Sequence, residues 1–134
     1  MFTEIDHIAI AVKDLDAAIA FYRNAFDVQV EHDETIVSDG VREVLIKVAQ
    51  SYIQLLTPIN DNSPVAKFLA NRGEGLHHVG YRVESCETAL NAVMGLGYQV
   101  IDTIPRPGSR GTTIAFIHPK GAFGTLIELV EIPV

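Results

Sequence analysis

The chain repeats itself. Residues 7 to 30, HIAIAVKDLDAAIAFYRNAFDVQV, align with residues 78 to 100, HVGYRVESCETALNAVMGLGYQV. His7 falls on His78, Val12 on Val83, Ala18 on Ala89 and Ile19 on Leu90, at an offset of 71 residues that becomes 70 after one deletion. Further on, YIQLL around Gln54 matches LIELV around Glu128 at an offset of 74. A period this long does not suit a solenoid of short repeats, so two fused half-domains are expected. The duplication also pairs a histidine with a histidine and an amide with a carboxylate. Four nitrogen- or oxygen-bearing side chains at matched places in two halves point to a metal site on a pseudo-twofold axis.

Local patterns give each half the same order. Ile8, Ile10 and Val12 alternate with His7, Ala9 and Ala11, so a strand is expected over 5–12 with a histidine among small residues on one face. Asp14 is a helix cap, followed by Leu15, Ala18, Ile19, Tyr22 and Phe26 at helical spacing. A strand is expected over 27–32, a polar turn over 34–40 ending in Asp-Gly, and strands over 41–48 and 51–57. A connector follows, with a short helix entered through Ser63 and Pro64. The second half predicts strand 76–83, helix 85–96, strand 98–102, a Gly/Pro loop at 106–111 and strands near 112–117 and 125–131. The expected organisation is one α+β domain of two tandem βαβββ modules, 1–60 and 76–134, joined by a connector over 61–75.

Composition removes some function classes. A net charge of -7 argues against a nucleic-acid partner, which needs a basic face. No apolar run approaches the roughly 18 residues that span a bilayer, and the acidic start, MFTEIDH, is no secretory signal. A single cysteine, Cys86, excludes an internal disulfide, suits a cytoplasmic location, and reads as a structural thiol.

Strand parity groups His7 with Ala9 and Ala11, His78 with Gly80 and Arg82, Gln54 with Tyr52 and Leu56, and Glu128 with Leu126 and Val130. Polar groups among such apolar neighbours cost free energy unless bonded or coordinated. Two imidazoles, an amide oxygen and a carboxylate form a mixed set that suits Co2+, Zn2+, Ni2+, Mn2+ or Fe(II). A lone strand histidine is more often a satisfied core or surface residue, so the weight rests on agreement between the halves. His77, beside His78, faces the other way and reads as structural. His32 in an acidic stretch and His118 in a turn are poor ligand candidates.

These stretches resemble the vicinal oxygen chelate superfamily, and within it the methylmalonyl-CoA epimerases. The matching segments are IDHIAIAV, VREVLIKV, GLHHVGYRV and FIHPKGAFGTLIELVE, and they span essentially the whole chain. The resemblance implies a curved mixed sheet around a divalent metal held by His7, Gln54, His78 and Glu128, with Co2+ the first expectation. It also implies Glu43 as an acid/base, with Glu128 serving the opposite face of the substrate, and a homodimer. The hairpin at Ala49-Gln50 is shorter than in many relatives, which touches the shape of one pocket edge.

Epimerising a carbon between a thioester and a carboxylate requires a proton to leave one face and return on the other. A Lewis acid would stabilise the enolate formed between those events. Glu43 in an apolar cavity would have its pKa raised towards neutrality; as a surface residue it would pair with Arg42 or Lys47 instead. Arg106, Arg110 and Lys120 gather in the loops of the second half and are candidates for CoA phosphate contacts, or are ordinary surface cations. Two other functions share the pattern: a glyoxalase I-type lyase, and a metal-free ligand-binding protein of the bleomycin-resistance type.

Overall fold

The computed structural model describes residues 1–134 and divides them into two compact units. One unit is continuous, Ile8–His77; the other joins Met1–His7 to His78–Val134. The first strand, β1 (Phe2–Ala11), contributes its beginning to the split unit and its end to the continuous one.

In the continuous unit, α1 (Leu15–Phe26) starts where Asp14 accepts from the Ala17 amide and stops at Asp27, whose φ of 53° ends the helix in a left-handed turn. That cap displaces the expected strand: β2 runs from Val30 to Ile36 and takes up the first part of the polar stretch, leaving the turn to residues 37–40. Gly40, at φ 66°, makes the reversal into β3 (Val41–Val48), and a Cβ there would meet Ser63. β2, β3 and β4 (Ser51–Pro58) form an antiparallel ladder in that order. α2 (Pro64–Arg72) is capped by Ser63, as its Ser-Pro start predicts. Leu15, Val44, Ile46 and Leu55 pack into one apolar cluster, and Ala9, Ala11, Leu56, Val65 and Leu69 into another. His77 lies edge-on to Phe68, a structural setting.

β5 (Gly75–Val83), which enters the split unit at His78, leads to α3 (Cys86–Gly95), capped by Ser85. The strand expected at 98–102 is reduced to a single bridge between Val100 and Ile117. Its place in hydrogen bonding is taken by Asp102, whose backbone donates to Phe116 O and whose carboxylate accepts from Phe116 N. A two-residue strand, β6 (Arg106–Pro107), pairs with β7 (Thr113–Ile117), which is antiparallel to β8 (Ile127–Glu131). β8 runs parallel to β5, with Gly80 opposite Glu128. Cys86, Ala89, Leu90, Ala115 and Leu129 form this unit's core; burial raises the Cys86 thiol to about 11, so it stays protonated. No helix is long and apolar enough to cross a membrane.

Candidate metal centre

Three side chains of the split unit converge. His7 comes from β1, His78 from β5 and Glu128 from β8, and all three are buried. His7 Nε2 lies 2.9 Å from His78 Nε2 and 3.2 Å from Glu128 Oε1; His78 Nε2 lies 2.8 Å from the same oxygen. The two rings meet edge to face at 89°, and His78 makes a second edge contact, with Phe116. Sequence alone places His78 and Glu128 on neighbouring strands only by analogy; the parallel register, with Gly80 opposite Glu128, brings them together two residues apart.

Backbone space matters as much as the ligands. A Cβ on Gly80 would stand 2.6 Å from His7 Nδ1 and 2.8 Å from its Nε2. Only a glycine lets the imidazole lie flat against β5 at this point.

Electrostatics follow from burial and close packing. Burial disfavours a charged His7, but the carboxylates of Glu128 and Asp6 outweigh it and lift the imidazole to about 9. His78 is held below its ordinary value because burial dominates there. Burial also disfavours a charged Glu128, yet the two imidazoles keep its carboxyl well below the usual range. Without a metal ion the His7 ring is therefore positively charged between two carboxylates, and a bound cation would take the place of its Nε2 proton.

The residues fit a divalent ion. Donor atoms about 2.1 Å from one ion and at right angles to each other stand about 3 Å apart. The three observed separations, 2.8, 2.9 and 3.2 Å, match that edge length. In the continuous unit the Gln54 Oε1 is buried without a hydrogen-bond partner. Its Nε2 donates to Glu43 Oε2 at 2.6 Å, a diagonal contact between β4 and β3, where Gln54 faces Leu45 in register. Glu43 is 1% exposed, which removes its reading as a surface residue. Lys47, two residues along the same face from Leu45, is exposed and lies over the Tyr52 ring.

Sequence reasoning missed the surroundings of His7. Asp6 is fully buried, and its Oδ2 stands 2.6 Å from His7 Nδ1. Arg82 Nε donates to Asp6 Oδ1 at 2.7 Å and Arg110 Nη2 to Oδ2 at 2.6 Å. The Asp-His pair at the head of an apolar run was the available signal. Of the loop cations, Arg106 pairs with Asp102 at 3.1 Å and lies over the Phe116 ring, and Lys120 is exposed. His32 pairs with Glu34 at 2.8 Å, and His118 caps its own turn by accepting from Lys120 N.

The family model described as "Glyoxalase/Bleomycin resistance protein/Dioxygenase superfamily" matches residues 6–116. The "Ethylmalonyl-CoA/methylmalonyl-CoA epimerase" of Cereibacter sphaeroides is 36% identical over 98% of this chain and 100% of its own length. The chain belongs to the methylmalonyl-CoA epimerase family of that superfamily. It is an enzyme of the epimerase type with the superfamily's α+β fold. A solved methylmalonyl-CoA epimerase in complex with methylmalonyl-CoA and NH4+ superposes with a TM-score of 0.96 at 39% identity, covering 100% of this chain and 97% of that one. A variant of the Streptomyces coelicolor methylmalonyl-CoA epimerase, in complex with 2-nitronate-propionyl-CoA, gives a TM-score of 0.96 at 38% identity over the same shares.

Proposed function

We propose that this epimerase interconverts the (R) and (S) forms of methylmalonyl-CoA by metal-assisted transfer of the proton on C2. The observation that carries the proposal is the meeting of His7 Nε2, His78 Nε2 and Glu128 Oε1 at ligand-edge distances, in a chain of this family. Gln54, with its unpartnered buried oxygen, is the proposed fourth donor. Co2+ is proposed first among the ions that this mixed set suits, ahead of Zn2+, Ni2+ and Mn2+.

A divalent ion held there would act as a Lewis acid towards the oxygens flanking C2 and lower the cost of removing its proton. The protein's own groups do the rest. Inversion needs proton carriers on opposite faces of a planar carbon, and Glu43 and Glu128 are the two carboxylates proposed for that work. Gln54 holds Glu43 by its Nε2–H, fixing the direction in which the carboxylate points. Burial of Glu43 keeps bulk water from competing for its proton. A nitronate is planar and anionic at C2, so its binding by the Streptomyces coelicolor relative supports an anionic intermediate here. Arg106 and Lys120 are proposed for the CoA phosphates; Arg110, expected with them, has a buried carboxylate as partner. A homodimer is proposed by analogy with relatives.

The test is deuterium wash-in at C2. Incubated in D2O with either epimer of methylmalonyl-CoA, the protein should exchange C2–H and equalise the epimers. Isomerisation of a glutathione hemithioacetal without C2 exchange would assign it to the lyase reaction instead.

A further inference from the structure

We propose that Asp6 is a positioning residue: clamped by Arg82 and Arg110, its carboxylate fixes the hydrogen of His7 on Nδ1 and so turns the Nε2 lone pair to the point shared with His78 and Glu128. The inference rests on the metal-site reading given above and adds the group that sets the ligand's tautomer.

The geometry is specific. Asp6 Oδ2 faces both His7 Nδ1, at 2.6 Å, and Arg110 Nη2, at 2.6 Å, while Oδ1 accepts from Arg82 Nε at 2.7 Å. A carboxylate already accepting from two guanidinium groups offers only acceptor capacity to a third neighbour. The His7 nitrogen facing it must therefore bear the hydrogen, which leaves Nε2 with its lone pair. Arg82 also reaches Glu4 Oε2 at 2.8 Å, so two cations face two carboxylates and the imidazole can donate without being charged. A ligating histidine commonly gives its second ring N–H to a carboxylate, which fixes the ring and raises its basicity.

Arg110 is held in a tight turn. It has φ 58° and ψ 23°, a left-handed conformation uncommon for an L side chain. The surrounding turn is closed by Gly108 N donating to Thr112 O and by Thr112 N and Oγ1 both donating to Ser109 O. A Cβ on Gly108 would collide with Thr112 Oγ1 and Ile114. A residue in a tight turn thus delivers its guanidinium to a fully buried carboxylate that touches a candidate ligand.

The test uses the whole chain with 15N-labelled histidine and Zn2+ as the probe. Long-range 1H–15N spectra of the metal-free protein at pH 10 should show the neutral ring with its hydrogen on Nδ1, the nitrogen that faces Asp6. Zn2+ should then shift His7 Nε2 and leave Nδ1 protonated. Asp6→Asn, which keeps the shape and removes the charge, should bind Zn2+ about 10–100-fold more weakly in chelator competition. A metal-free wild-type spectrum with the hydrogen on Nε2 would overturn the inference, as would a folded D6N binding Zn2+ within about 3-fold of wild type. If D6N does not fold, the wild-type spectrum decides alone. Failure of the wild-type chain to bind Zn2+ would sink the metal reading, whereas the pH 10 spectrum judges the role of Asp6 separately.

Discussion

Gly80→Ala is the sharpest perturbation available, because it adds one methyl group and removes no ligand. The added carbon would lie 2.6 Å from His7 Nδ1 and 2.8 Å from Nε2. Non-bonded heavy atoms settle at about 3.5 Å or more and His7 Cε1 would be nearer still, so the ring must retreat by about 1 Å or more. A metal–ligand distance tolerates only about 0.2 Å, so Nε2 would leave the position it holds 2.9 Å from His78 Nε2. The same movement stretches the 2.6 Å contact between Nδ1 and Asp6. Overpacking of this kind costs about 1–3 kcal/mol, which for a chain of this size lowers the thermal midpoint by roughly 3–12 °C. Loss of a supporting partner weakens metal binding about 10–100-fold; displacement of the ligand itself should exceed about 100-fold. Co2+ titration followed by visible absorption, beside calorimetric melting of the same samples, measures both effects. A folded G80A that binds Co2+ as tightly as wild type and exchanges C2–H at the wild-type rate would refute the reasoning.

Glu43→Ala should retain Co2+ and fold, lose about 1–3 kcal/mol because the Gln54 amide is left without its acceptor, and slow C2 exchange by about 100–10,000-fold; exchange at the wild-type rate would remove Glu43 from the chemistry. Glu128→Ala should lose both metal and exchange, and atomic emission on the purified variant would contradict this if it found full occupancy. In the metal-free protein, His7 sits at about 9 against its ordinary 6.5, so its contribution to stability is complete below pH 6.5 and is lost as pH rises through about 9. Asp6 works in the other direction, contributing above pH 3.8 and failing as pH falls through about 2. The melting temperature without metal should therefore fall between pH 6.5 and 9.5. With Co2+ it should rise over the lower part of that interval, since ligands must shed protons to bind. A metal-free midpoint that is flat across that range would contradict the His7 assignment.

The parts of the fold that were legible in the sequence are those where one local signal dominates. Asp14, Ser63 and Ser85 each announce a helix, and each cap accepts the expected backbone hydrogen. The repeat was enough to bring His7, His78 and Glu128 to attention, and these three do converge. Boundaries failed where tertiary bonding decided. Residues 98–102 match the first half's strand in sequence, yet Asp102 satisfies Phe116 through its side chain and ends the ladder early. Likewise Asp27 caps α1 in a left-handed turn, which delays β2 to Val30. Asp6 escaped notice because an acidic residue near a chain start reads as solvated. Its burial depends on two arginines 76 and 104 residues away, a pairing that no local pattern encodes. In the sequence Gly80 is only a strand neighbour of His78; its need for a bare Cα is visible once the ring of His7 is in place.

The most direct measurement strips the protein with chelator and records deuterium entry at C2 of methylmalonyl-CoA before and after Co2+ is restored. The stripped protein should exchange no faster than buffer, and one equivalent of Co2+ should restore exchange, while the same addition to Glu128→Ala should not. Full exchange by stripped protein of verified metal content would contradict the assignment of His7, His78 and Glu128 to a working metal site.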